Sequence, residues 1–114
     1  MTPLRPRRPR HEEHLLITIA DQPDLRRFEA RDEGTLVGFA DYIRTDELIV
    51  FTHTEVDTAW EGHGVGSRLA EIGIRTAEHN HLRVLAICTF IASWMARHPE
   101  FAHLEYRSTS AVTD

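Results

Sequence analysis

The chain has 114 residues, enough for one domain with a modest core and too few for two. Hydrophobic residues make up 41% and charged residues 27%, a balance that excludes global disorder. The formal net charge of −5 argues against a nucleic-acid-binding domain, which carries a basic footprint.

Residues 1–12 hold Pro3, Pro6 and Pro9 with Arg5, Arg7, Arg8 and Arg10 between them. Proline at every third position suits an extended segment without internal hydrogen bonds, so a disordered basic tail is expected. It is either simply solvated or docks on an acidic surface or nucleic acid. The Arg7-Arg8 pair is followed by Glu12-Glu13 and only a short apolar run at 15–20, so no export signal is expected. Cys88 is the single cysteine, which rules out an internal disulfide and fits a reducing, cytoplasmic compartment. No apolar run approaches the length of a membrane span.

A domain over residues 13–107 follows, and a polar tail over 108–114. Residues 15–20 read as a first strand and 21–24 as a turn. Residues 26–31 alternate, with Phe28 and Ala30 on one face and Arg27, Glu29 and Arg31 on the other, the pattern of a half-buried strand. Asp32-Glu33-Gly34 signals a hairpin. A third strand is expected over 35–43, with Val37, Phe39 and Asp41 on one face and Leu36, Ala40 and Tyr42 on the other. Residues 44–47 make the next turn and 48–56 the fourth strand. The first half is thus an antiparallel meander.

A helix is expected from about residue 64 to 80, its apolar stripe running through Val65, Leu69, Ile72 and Ala77, with Ala70, Gly73 and Ile74 widening it. Glu71 stands four residues before Arg75, the favourable order for a pair. Residues 82–88 read as a fifth strand, so apolar that both of its faces are expected to be buried, as in a parallel pair covered by a helix. Strand four, the helix and strand five then form a crossover. A short helix over 90–97 buries Ile91, Trp94 and Met95 and is stopped by Pro99. Residues 101–106 are either a last strand or an irregular cover.

Between strand four and the long helix stand Gly62, Gly64 and Gly66. The first N–H groups of a helix have no intrahelical partner, and its dipole makes that end positive. Glycines there let phosphates approach those groups. The G-x-G-x-G spacing is not the dinucleotide fingerprint, and a chain without lysine has no Walker loop.

The strand ending at Val56 and the loop Glu61-Gly62-His63-Gly64-Val65-Gly66 resemble the acyl-CoA pyrophosphate loop of the GNAT N-acetyltransferase superfamily. The usual loop has Arg or Gln where this chain has Glu61. His53-Thr54-Glu55-Val56, the Glu-Gly-x-Gly loop, Cys88 and His98-Pro99 together resemble a compact, single-domain subgroup that shares that glutamate. The resemblance covers about residues 15–107. It implies an α+β fold in which a meander leads into a β-α-β crossover with strands four and five splayed. It implies acetyl-CoA as acyl donor and an amine, small molecule or protein, as acceptor.

Carried onto this chain, Thr54 and Val56 supply main-chain contacts to the pantetheine arm. Gly62, His63, Gly64, Val65, Gly66 and Ser67 supply N–H groups to the pyrophosphate. Arg68 either adds charge near a phosphate or pairs on the helix surface. Cys88 ends strand five where the thioester belongs, and it either takes the acyl group or packs as an inert thiol. His53, late on strand four, is the candidate base for the same space, or else a structural residue. Trp94 stands where many members have an acidic tyrosine, and tryptophan has no proton to give. The remaining histidines lack metal-ligand spacing, so no metal is expected. The alternatives are a non-catalytic CoA-binding module or regulatory subunit, and a binding protein that works through its basic tail.

Overall fold

A computed structural model describes residues 16–107. The expected tails at 1–12 and 108–114, and the start of the expected first strand at residue 15, lie outside the described residues. The elements run β1 (Thr18–Gln22), β2 (Arg27–Asp32), β3 (Thr35–Arg44), β4 (Leu48–Val56), α1 (Val65–His79), β5 (Arg83–Ala86) and α2 (Thr89–Ala96). Tight 3-10 turns occupy Pro23–Leu25, Thr58–Trp60 and Pro99–Leu104. The sheet order is β1-β2-β3-β4-β5, antiparallel except for the parallel β4–β5 pair that α1 connects. This is the expected α+β meander and crossover.

The β2–β3 hairpin closes on Glu33 and Gly34, both at positive φ (48° and 85°), the turn whose twist matches the strands it joins. β1 runs on through Asp21 and Gln22, where a turn was expected, because its pairing with β2 persists to Gln22–Arg27. Tyr42 ties the far side of this meander together: its hydroxyl donates to Asp21 Oδ1 at 2.6 Å. Burial and that acceptor push the phenol up to about 12, so it stays a neutral donor.

Two bulges break the alternation. Ala30 pairs with Gly38 while Arg31 pairs with Leu36, so Val37 is an extra residue in β3. Asp41 pairs with His53 while Tyr42 pairs with Phe51, so Thr52 is an extra residue in β4. A bulge moves every later side chain to the other face. Hence Val37 is buried together with Ala40 and Tyr42, which the simple pattern had put on the opposite face. Directly paired residues share a face. One face therefore carries the rows Asp21–Phe28–Ala40–Thr54 and Ile19–Ala30–Gly38–Val56. The other carries Gln22–Arg27–Asp41–His53 and Ala20–Glu29–Phe39–Glu55.

The core lies between the first face and α1. Phe28, Tyr42 and Phe51 form an aromatic cluster with centroids 5.3 to 6.5 Å apart. A Cβ on Gly73 would stand 2.9 Å from Phe51, so this glycine lets the ring lie against the helix. α1 buries Val65, Leu69, Ala70, Gly73, Ile74 and Ala77, with Ile72 at the margin. Arg75 Nε donates to Glu71 at 2.9 Å, the expected pair. α2 packs Ile91, Trp94 and Met95 inward. Residues 99–105 form an irregular cover: a 3-10 turn, then one parallel bridge from Glu105 to Val84.

β5 is shorter than expected and is not buried on both faces. Arg83 is exposed, Val84 buried, and Leu85 and Ala86 half-buried. It stops at Ala86 because the N–H groups of Ile87 and Cys88 both turn to the Phe51 carbonyl, each at 3.0 Å.

On the second face Glu29 is buried rather than solvated. Arg27 reaches one carboxylate oxygen at 2.6 Å and Arg31 the other at 2.9 Å. Burial by itself raises the carboxyl, but hydrogen bonds and charge from Arg31 and Arg27 outweigh it and hold Glu29 below its usual 4.5. A depressed folded value means stability that is present above the unfolded value and lost as pH falls through the folded one. Glu29→Gln should therefore lose roughly 1–3 kcal/mol at pH 7. The gap to the wild type should narrow in urea titrations run below about pH 4.5. A gap independent of pH would mean that shape, not charge, is what the glutamate supplies.

Candidate active site

β4 and β5 part at Phe51. Up to that residue they pair in parallel; beyond it β4 continues alone from the Thr52 bulge to Val56, while the other chain turns into α2 at Cys88. The ladder between β3 and β4 fixes which backbone groups face the opening. Asp57 donates to the Val37 carbonyl at 2.8 Å, opposite it in register. Bonded and non-bonded pairs alternate in an antiparallel ladder. So His53 and Glu55 spend their main-chain groups on β3, while those of Thr54 and Val56 point into the gap.

The gap opens into a cleft of about 520 Å³ bounded by Thr54 and Val56 on β4, Trp60, the glycine turn, the start of α1 and Phe90. Asp57 starts the turn before it, accepting from the Ala59 N–H at 2.9 Å. Gly62 and Gly64 have φ of 81° and 83°, and a Cβ on either would meet no atom within 4 Å. They are needed for backbone conformation. Gly66 differs: a Cβ there would stand 2.7 Å from the Phe90 ring, so it makes room for Phe90. Gly64 is the N-cap of α1 and brings no capping side chain. The first intrahelical bond is Arg68 N–H to Gly64 carbonyl at 3.0 Å, which leaves the N–H groups of Val65, Gly66 and Ser67 without helical partners.

Two expected contributors are committed elsewhere. The His63 N–H is turned to the Trp60 carbonyl at 3.3 Å. The Arg68 guanidinium donates to the Ile17 carbonyl, stapling the start of β1 to α1. Glu61 is exposed at the turn.

Cys88 and His53 are not brought together. Cys88 Sγ donates to Thr54 Oγ1 at 3.3 Å, on the cleft side of the sheet. His53 stands on the opposite face, its Nε2 3.1 Å from Glu55 Oε1 and its ring 6.0 Å from Phe39. The Thr52 bulge is the reason: it exchanges the faces of His53 and Thr54. Trp94 is buried and stacked on His98 at 3.7 Å, a core contact.

Trp60 and Phe90 line the cleft and were not readable from sequence pattern. The one available signal was Asp57, a good cap three residues before Trp60. Trp60 is fully buried, and its indole Nε1 has no hydrogen-bond partner among the described residues.

The arrangement fits a CoA thioester. It offers free helix N–H groups for a pyrophosphate, free strand amides for the pantetheine arm and a buried donor at the cleft wall. Among the described residues no group of three His, Cys, Asp or Glu side chains converges as a metal site, and no helix is long and apolar enough to cross a membrane.

A model of the GCN5-related N-acetyl-transferase family matches residues 27–104. No curated protein matches the chain. Among solved structures, the chain resembles a GCN5-like putative N-acetyltransferase from Staphylococcus aureus. That pair has 21% identity and a TM-score of 0.61, covering 82% of this chain and 91% of the other. It also resembles a ribosomal-protein-alanine N-acetyltransferase from Brucella melitensis biovar Abortus 2308. Here identity is 16% and TM-score 0.52, covering 77% of this chain and 66% of the other. At these identities both likenesses concern the fold.

Proposed function

The chain belongs to the GCN5-related N-acetyltransferase family, and on that premise we propose that it carries an acetyl group from acetyl-CoA to an amine by way of Cys88. Members are acyltransferases that use acetyl-CoA, so acetyl transfer in general follows from membership; the residues and the route are our reading. The observation that carries it is the position of Cys88. Its thiol donates to Thr54, a residue of the cleft wall, at 3.3 Å where β4 and β5 part.

In this reading the pyrophosphate lies against the N–H groups of Gly62, Gly64, Val65, Gly66 and Ser67. The pantetheine arm runs along the main chain of Thr54 and Val56. The thioester then reaches the gap between the strands. Cys88 Sγ attacks the acetyl carbonyl carbon; the new S–C bond forms as the CoA S–C bond breaks. The proton given up by Cys88 leaves with the CoA thiol. An amine attacks the acetyl-cysteine, forming the amide and releasing Cys88 as its thiolate. The released Cys88 thiolate takes up the proton that the amine gives up. Thr54 orients the thiol beforehand. A cysteine used this way must stay reduced, which suits the cytoplasm.

The test is to incubate the protein with acetyl-CoA and record native and denaturing mass spectra beside Cys88→Ala. The expected result is a noncovalent CoA adduct in both proteins and a denaturant-resistant acetyl in the wild type alone. An adduct without covalent acetyl would sink the cysteine route and leave direct transfer or a CoA-binding module. No adduct at all would overturn the cleft assignment.

A further inference from the structure

Trp60 is the odd member of the cleft wall. It is the largest fully buried side chain among the described residues, and its indole N–H is unpartnered. An orphaned buried donor is destabilising and rare in native structures, so it calls for a reason. Its backbone is fully engaged: Trp60 N–H donates to the Asp57 carbonyl at 2.8 Å, and its own carbonyl accepts from His63 at 3.3 Å. Only the indole N–H is left over.

Its position supplies the reason. Trp60 closes the Thr58–Trp60 turn, two residues before Gly62, and it borders the same cleft as Val65, Gly66 and Ser67. The segment that follows turns on Gly62 and Gly64, both at positive φ with open space at the Cβ position. The cleft wall already carries helix N–H groups suited to phosphate oxygens, and an indole N–H is a donor with no acceptor function.

We infer that the Trp60 indole N–H is a specific donor to an oxygen of the cofactor's pyrophosphate, satisfied only when the cofactor is bound. This rests on the acyl-CoA reading of the cleft. The consequence is a pair of opposite effects. Without cofactor the N–H is a liability; with cofactor it is a charge-assisted hydrogen bond. Trp60→Phe keeps the bulk of an aromatic ring and removes the N–H. It should bind CoA roughly tenfold to a hundredfold more weakly, and melting of the free protein reads the cost of the smaller ring separately.

The experiment is calorimetric titration of wild type and Trp60→Phe with CoA and with dephospho-CoA, which keeps the pyrophosphate, together with melting of each free protein. Both ligands should lose affinity by the same factor. In parallel, Trp94→Phe leaves Trp60 as the source of the indole signal in a nitrogen-15 spectrum, and CoA should move that signal and slow its proton exchange. This second readout stands even if Trp60→Phe folds poorly. If wild type binds CoA but Trp60→Phe binds it equally well, or the indole signal stays put, the inference fails while the cleft assignment survives. If wild type binds no CoA, the cleft assignment itself fails.

Discussion

Phe51→Ala should lower the stability of the fold by about 3–5 kcal/mol, a large share of the roughly 5–15 kcal/mol typical of a small domain. The ring is fully buried, packs between Phe28 and Tyr42, and lies against Gly73 of α1. Deleting it removes apolar contacts from strand, neighbour strand and helix at once, and the rigid glycine side of the helix has no side chain to fill the cavity. The same residue's carbonyl holds Ile87 and Cys88 at the point where the strands part. The loss should therefore reach the site as well as the core. Urea unfolding should show the midpoint fall, and thermal melting should drop by roughly 15 °C or more. A loss below about 1 kcal/mol would mean that the space collapses freely, contrary to close packing around Phe51.

Gly64→Val should weaken CoA binding by about a hundredfold while costing only about 1–2 kcal/mol of stability. Gly64 caps α1 at φ 83°, and a β-branched residue is strongly disfavoured there. Its Cβ would meet no protein atom within 4 Å, so the core is not disturbed. What changes is the turn. Relaxing φ re-aims the N–H groups of Gly64 and Val65. Two charge-assisted hydrogen bonds at about 1.5 kcal/mol each account for the expected factor. Titration calorimetry with CoA checks the affinity and urea unfolding checks the stability. Equal CoA affinity in the variant would mean that the phosphates bind somewhere other than the helix start.

Together these variants separate the frame from the ligand loop. Phe51 sits where the frame sets the angle between strands; Gly64 sits where the loop presents its donors. The Trp60 and Cys88 experiments then divide the cleft again, into cofactor binding and acyl chemistry.

Much of this was legible from the sequence because it is locally encoded. Residues 48–56 are mostly β-branched or apolar, and β4 has those bounds. The stripe through Val65, Leu69 and Ala77 needed only the helical period to place α1. The glycine turn between them, with the order strand, turn, helix and strand, pointed to the family that a match over residues 27–104 shows. Asp32-Glu33-Gly34 fixed the hairpin through backbone chemistry alone.

What tertiary structure decided was which face each side chain takes. A strand read by alternation assumes an unbroken ladder, and the extra residues Val37 and Thr52 exist only relative to the strands opposite them. That is why His53 and Cys88, adjacent by strand order, end on opposite faces, and why Thr54 is the residue beside the thiol. Likewise Arg68 spends its charge on Ile17, 51 residues away in sequence, and Glu29 is buried because two arginines on its own strand close over it. Local pattern sets element type through backbone preference and periodicity. Register, bulges and long-range hydrogen bonds are set by the whole sheet pairing at once, and the geometry of the candidate site is built from those.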